Sequence, residues 1–502
     1  MRRTIGPDAL YARTALSGLF NILDGDEAIA LIERVSALVE KPDDGLSTGR
    51  WLAAQHALAV ERLPLVLPDE SPRCLLHVDS ITLVADQGVF LHGWCAGELG
   101  ALERVTCHSG LSSVRVDDGW VRLKRMDVTA HLRTQGIATS DDQHGFVCFV
   151  PLKRESGVYF FSVMSNAGTV RRMRLPKAST SLTTLETVRA ILTSFSVSHR
   201  TLRPLLDQHV GPAVQIAWNH RYRPMQAITV DRFGAHPVNP RVSVIVPLYG
   251  RYDLAEYQMA LFADDPDFQT LELIYFVDDP AIYDDFRAQC QDHFEIYRVP
   301  FTVAFAGANL GFSGANNRAA SIALGRHLLL MNSDVMPKNP GWLGELLTLY
   351  GTLEKPGFLG VKLLYEDESV QHAGMSFRRH SDWNNLWIND HPQKGQSALG
   401  LRGLRKADAV TAACVLVDAA LYRELGGLSE DYIIGDFEDS DFCLRAAAAG
   451  RRNWISLDIE LYHLERQSQV RIGDVHWRTN LTLYNCWQHN QRWAPQFERQ
   501  KR

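Results

Sequence analysis

Apolar residues recur at helical spacing through the first seventy positions, as in Ala28, Leu31, Ile32, Val35, Leu38 and Val39, and predict a small helical segment. From about residue 74 to 175 the texture changes to short alternating runs separated by turn residues, at 81–84, 89–91, 114–116, 146–150 and 158–161. Such spacing predicts an antiparallel β-sandwich. After residue 241 the pattern changes again. A β-branched run at 242–246 is stopped by Pro247, a second strand at 271–277 ends in Asp278-Asp279-Pro280, and a third at 327–331 ends in Asn332-Ser333-Asp334. A helix from about Gly314 carries Ala315, Ala319, Ile322 and Ala323 on one face and stops at Gly325. Another, with Asn339 as cap and Pro340 in its first turn, turns Trp342, Leu343, Leu346, Leu347 and Tyr350 inward. Ile455, Leu457, Ile459 and Leu461 alternate as a later strand, with His463 directly after it. Strands alternating with helices predict an α/β fold with a mainly parallel, doubly wound sheet. The expected division is a helical segment over 1–70, a β-rich accessory domain over 71–178, a basic helical linker over 179–237 and the α/β domain over 238–495.

Composition narrows the function classes. With 46% apolar and 22% charged residues, the 502-residue chain can bury real cores. Its 52 basic and 58 acidic residues give a net charge of −6, which argues against nucleic acid as a partner. Residues 171–232 are the exception, with ten Lys or Arg against three Asp or Glu. These cations are expected to pair with acidic surfaces of the flanking domains; contact with anionic lipid or an anionic acceptor is the minority alternative. Eight cysteines without any C-x-x-C spacing read as reduced thiols of a cytoplasmic protein. Asp8, Arg13 and Asn21 break any secretory apolar run, and no eighteen consecutive apolar residues occur. Peripheral attachment to the inner face of the cell membrane stays open.

Ligands of open α/β sheets bind beyond the carboxyl ends of the strands, where Asp278, Asp279 and Asp334 lie. Each alone is more often turn chemistry. Asn332-Ser333-Asp334 could tether a hard cation whose other ligands are phosphate oxygens, the bland alternative being an Asx-turn. His463 could join it, since neutral imidazole suits Mn²⁺ better than Mg²⁺. Asp436, Glu438, Asp439 and Asp441 place four acids in six residues at a helix start. The helix dipole accounts for one or two of them; a general base beside a reacting hydroxyl accounts for more. The loop from Asn309 to Asn317, with Gly311 and Gly314, enters a helix and could present amides to a diphosphate, although it fits neither the P-loop nor the dinucleotide fingerprint.

The ordered set Val-Ser-Val-Ile-Val-Pro-Leu-Tyr (242–249), Val-Asp-Asp (277–279), Asn-Leu-Gly-Phe-Ser-Gly-Ala-Asn-Asn (309–317), Asn-Ser-Asp-Val (332–335), Gly-Gly-Leu-Ser-Glu (426–430), Phe-Glu-Asp-Ser-Asp-Phe-Cys-Leu-Arg (437–445) and Tyr-His (462–463) resembles family 2 inverting glycosyltransferases with the GT-A fold, in particular bacterial rhamnosyl- and galactofuranosyltransferase-like members. The resemblance covers about residues 240–490. It implies a GT-A domain with a mixed, mainly parallel sheet, preceded here by the β-sandwich-like domain and the helical segment. It implies that Pro247, Leu248 and Tyr249 line the nucleotide base, with Asp278 or Asp279 bonded to it, and that Asn309, Gly311, Asn317, Asn332 and Ser333 belong to the nucleotide-sugar site. Asp334, at the last position of the family's D-x-D, and His463 would hold a divalent cation, Mn²⁺ or Mg²⁺. Asp439 would be the catalytic base and Glu438 would position a substrate. The implied partners are a UDP- or dTDP-linked sugar donor and a glycan or lipid-linked glycan acceptor of the bacterial surface. Asn332 replaces the usual first Asp of D-x-D, and Pro280-Ala281 the customary Gly-Ser. Trp383, Trp387, Trp487 and Trp493 are candidate acceptor contacts, though core burial is the stronger expectation for each. The alternatives are a non-catalytic GT-A scaffold that binds sugar nucleotide or glycan, and a glycoside hydrolase using paired carboxylates.

Overall fold

The computed structural model describes residues 7–38, 45–67, 74–97, 102–110, 112–137, 141–153, 158–178, 182–196, 201–221, 227–464 and 475–500. They fall into two compact units, 1–222 and 223–502.

The first unit opens with helices Pro7–Ile22, Gly25–Leu38 and Gly45–Glu61. Two four-stranded antiparallel sheets follow. Leu76, Val89, Leu91, Phe146 and Cys148 from one sheet share an apolar core with Val105, Cys107, Phe161 and Val163 from the other, which is the expected sandwich. A helix over Met126–Thr134 interrupts it, a feature the alternating pattern does not announce. Helix Thr184–Thr193 starts on a capping box in which Thr183 and Glu186 satisfy each other's backbone amides. Of the basic residues near the linker, Arg172 pairs with Asp26 at 2.8 Å and Glu33 at 3.2 Å within the same unit.

The second unit is built on an eleven-stranded mixed sheet. Strand Val242–Leu248 lies parallel to both Glu272–Val277 and His327–Met331, and Glu272–Val277 lies parallel to Phe301–Phe305. Cys414–Asp418 and Val335–Pro337 run antiparallel to their neighbours. Period-two alternation splits the strands between two cores. Val242, Val244, Val246 and Leu248 face a core filled from helices Asp253–Ala263, Tyr283–Tyr297 and Trp342–Thr352, while Ile245 faces one filled from Gly311–Ile322 and Glu438–Ala448. The helix expected from Gly314 begins at Gly311. The one expected to be capped by Asn339 begins at Trp342, because Gly341 takes the left-handed conformation (φ 79°). There Asp265 accepts the Gly341 amide at 2.9 Å and Asp267 the Gly344 amide at 2.8 Å, so the cap comes from a distant turn.

Seven cysteines among the described side chains are buried and outside any disulfide. No described helix is long and apolar enough to cross a membrane.

Candidate functional site

The carboxyl ends of neighbouring strands are tied together by backbone and carboxylate hydrogen bonds. Asp278 donates its amide to Leu248 O at 2.8 Å and accepts the Leu310 amide at 2.7 Å, joining a strand end to the start of helix Gly311–Ile322. Burial is the largest influence on its carboxyl and raises the pKa well above the ordinary range, against the opposing effect of the Leu310 and Gly311 amides. Asp279 accepts Gly250 N at 3.2 Å and Ala281 N at 2.9 Å. Asn309 accepts Gly311 N at 2.9 Å, forming the turn that opens the helix. Pro247 is half-buried and Tyr249 exposed at this edge.

Two of the expected site residues have side chains engaged within the protein itself. Leu248 is fully buried in the apolar core, so its side chain cannot line a base pocket. Asn317 is committed to the protein: its Nδ2 donates to Leu428 O and Glu430, and its Oδ1 accepts Tyr422 OH and Leu428 N. The residue anchors the 426–430 turn and has no capacity left for a donor sugar.

Asp334 and His463 come together. The antiparallel register sets Val335 opposite His463, and His463 follows Ile459 and Leu461 in the buried alternation at the end of its strand. His463 Nε2 lies 3.3 Å from Asp334 Oδ1, with both side chains buried. His463 Nδ1 and Asn332 Oδ1 are buried without a hydrogen-bond partner. Ser333, in the same turn, is half-buried. Unused nitrogen and oxygen acceptors beside a carboxylate suit a borderline or hard divalent cation. Among the described residues no group of three or more His, Cys, Asp or Glu gathers to form a closed cage. Two side-chain ligands would leave most of a coordination shell to phosphate oxygens and water.

Asp439 stands on the adjoining wall. Asn332 donates its amide to Ala413 O at 2.8 Å, and one residue back Ala412 N approaches Asp439 Oδ2 at 3.4 Å. The Thr411 hydroxyl and the Ser440 amide also donate to this carboxylate. Burial is the dominant influence and lifts its pKa to about 6; these donors oppose the shift and the charge of Asp436 adds to it. Glu438 beside it is buried with Oε2 unpartnered, and burial, then the Asp439 and Asp436 charges, push its pKa well up. The segment before this helix is strained. Ile434 (φ 66°), Asp436 (φ 74°) and Phe437 (φ 75°) occupy the left-handed region, which is unfavourable for a β-branched side chain above all. Asn485 holds it there, accepting Ile433 N at 3.1 Å and donating to Ile433 O at 3.1 Å and Gly435 O at 2.5 Å.

The four acids therefore divide. Asp441 is a fully buried structural charge that accepts from Arg445, Arg492, Trp493 and Tyr432. Asp436 accepts the Thr482 hydroxyl at 2.7 Å. Glu438, with Oε2 unpartnered, and Asp439, held by Ala412 N, Ser440 N and the Thr411 hydroxyl, have no ion-pair partner among the described residues. Trp387, Trp487 and Trp493 are core residues, and Trp383 is half-buried. The sequence reading missed Thr411, Ala412 and Asn485, because backbone amides and a lone Asn on a terminal helix carry no motif.

Residues 243–405 match the family model described as Glycosyl transferase family 2. The chain carries a family 2 glycosyl transferase domain. The match includes Asp278, Asp279 and Asp334 of this glycosyl transferase domain and ends before Thr411, Glu438, Asp439 and His463. An uncharacterized protein, y4gI, of Sinorhizobium fredii (strain NBRC 101917 / NGR234) is 32% identical over 160 residues, 32% of this chain and 17% of that protein. The O-antigen biosynthesis protein RfbC of Myxococcus xanthus is 27% identical over 239 residues, 46% of this chain and 18% of its own. The chain thus aligns with under a fifth of the length of either relative. Among solved structures, GalNAc-T7 with UDP, GalNAc and Mn²⁺ superposes with a TM-score of 0.40 at 13% identity, over 51% of this chain and 49% of that one.

Proposed function

We propose that the protein is an inverting glycosyltransferase that moves a sugar from a nucleotide-diphosphate donor to a hydroxyl of a bacterial surface glycan or lipid-linked acceptor. The contact between Asp334 and His463, one wall away from Asp439, carries this reading. Pro247, Tyr249, Asp278 and Asp279 lie at the strand ends where the nucleotide would sit, and Asn309 and Gly311 open the helix whose amides face the diphosphate. Asp334 and His463 would hold a divalent cation, with Asn332 and Ser333 shaping the turn. When bound, that cation supplies positive charge against the charge growing on the leaving diphosphate.

Asp439 accepts the proton of the acceptor hydroxyl as its oxygen attacks the anomeric carbon from the face opposite the leaving group, which inverts the configuration. The bond from anomeric carbon to phosphate oxygen breaks and the nucleoside diphosphate departs. A carboxylate with its pKa raised to about 6 is a stronger base than a solvated one yet stays largely ionised near neutrality. Glu438 beside it orients a substrate hydroxyl.

Calorimetry with UDP and with dTDP, each with and without Mn²⁺, tests the reading. Metal-dependent nucleotide binding together with transfer supports it. Binding without transfer or donor hydrolysis would favour the non-catalytic scaffold, and sugar cleavage independent of nucleotide would favour a hydrolase.

A further inference from the structure

His372 closes the short strand Val370–His372 and is buried. Its Nε2 accepts two backbone amides, Gly374 N at 3.3 Å and Thr411 N at 3.4 Å. A ring nitrogen that accepts carries no proton, so the neutral ring holds its proton on Nδ1, which donates to His391 Nδ1 at 3.3 Å. Burial is the main reason the ring stays neutral, with His391, His463 and Lys394 adding to it.

The Thr411 amide held in this way belongs to the segment that grips Asp439. The Thr411 hydroxyl accepts Ala413 N at 3.3 Å and donates to Asp439, and Ala412 N points at the same carboxylate. A second suture, Met375 N to Ala409 O at 2.8 Å, keeps the two segments in register. We propose that His372 is a positioning residue for Asp439: its Nε2 fixes the backbone at Thr411 and thereby aims the Thr411 hydroxyl and the Ala412 amide at the carboxylate. The proposal rests on the transferase reading only for its catalytic consequence. The charged and titratable neighbours of Asp439 are Asp436 and Glu438 before it and Cys443 in its own helix. Those of His372 are His391, His463 and Lys394.

The test is a carbon-13 NMR titration of the Asp439 carboxyl in the full chain, its resonance assigned by absence from Asp439→Asn. Three variants are compared. His372→Phe fills the ring's volume without an acceptor, and His372→Asn carries an acceptor too short to reach the Thr411 amide. Both are expected to raise the Asp439 midpoint by about half a unit or more, because donors to the charged form are lost. His372→Gln, whose Oε1 reaches the place of Nε2, is expected to hold the midpoint within ~0.2 unit of the wild type. An unmoved midpoint in the Asn variant, or an equal upward shift in the Gln variant, overturns the proposal. The Asn and Gln pair decides even if the Phe variant fails to fold. No donor or acceptor is present in the titration, so absence of glycosyl transfer would leave its outcome intact.

Discussion

Asp334 and His463 meet at 3.3 Å because Val335 and His463 are paired across an antiparallel ladder, and a slip of one residue would turn the imidazole to the opposite face of the sheet. Replacing either residue with Ala should weaken Mn²⁺-dependent nucleotide binding by at least about tenfold, or 1.4 kcal/mol, while metal-free binding changes little. Calorimetry with and without EDTA reads both numbers. Equal losses in the two conditions would remove the pair from metal binding.

Asp439→Asn should leave nucleotide affinity largely intact and cut transfer by about 10²-fold or more, the usual contribution of a general base. The split between binding and turnover is the measurement. Retained turnover would take Asp439 out of the base role.

The pH dependence follows from the same carboxyl. Burial raises its pKa to about 6, so the basic form is lost on acidification through that value. The logarithm of kcat/KM should rise with a slope near one below that midpoint and level off above it, as read from a pH profile of the free enzyme. A rate flat down to the ordinary carboxylate range, near ~4, would contradict the assignment.

Asp441→Ala should destabilise the second unit by about 3 kcal/mol, since it strands Arg445 and Arg492 without their shared buried carboxylate. Burial alone would raise the Asp441 pKa, but the two guanidiniums bring it below the ordinary value. The sign follows: this stabilisation is full above the unfolded-state pKa and is lost as pH falls through the folded one. Urea unfolding at neutral and acidic pH should therefore show a wild-type advantage that shrinks in acid.

Asn485→Ala should cost about 2 to 3 kcal/mol, because the Ile433 amide and the Ile433 and Gly435 carbonyls lose their partner. Freed from that clasp, the strained residues at 434–437 should relax. Denaturant midpoints measure the first effect, and hydrogen exchange at the Ile433 amide the second.

Ile455, Leu457, Ile459 and Leu461 identify their strand from alternation alone, and the acids expected at strand and helix ends do lie there. The assignment stops at Leu248 and Asn317. Both sit inside recognisable motifs, yet one faces the core and the other is spent on the 426–430 turn. Side-chain direction and hydrogen-bond commitment are set by neighbours that lie far away in the chain. The same limit hides the division among the four acids: Asp441 differs from Asp439 only in what surrounds it.

By itself the sequence determined the alternation of strands and helices after residue 241, the two-faced apolar pattern that makes a layered α/β unit, and the acids gathered at strand and helix ends. These are local properties, fixed by periodicity and by composition within a few turns. Only the tertiary structure decided that His463 reaches Asp334, that Thr411 and Ala412 hold Asp439, and that Asn485 keeps a strained loop in place. Those relations depend on strand register and on backbone amides, which every residue but proline possesses and which therefore leave no mark in a sequence.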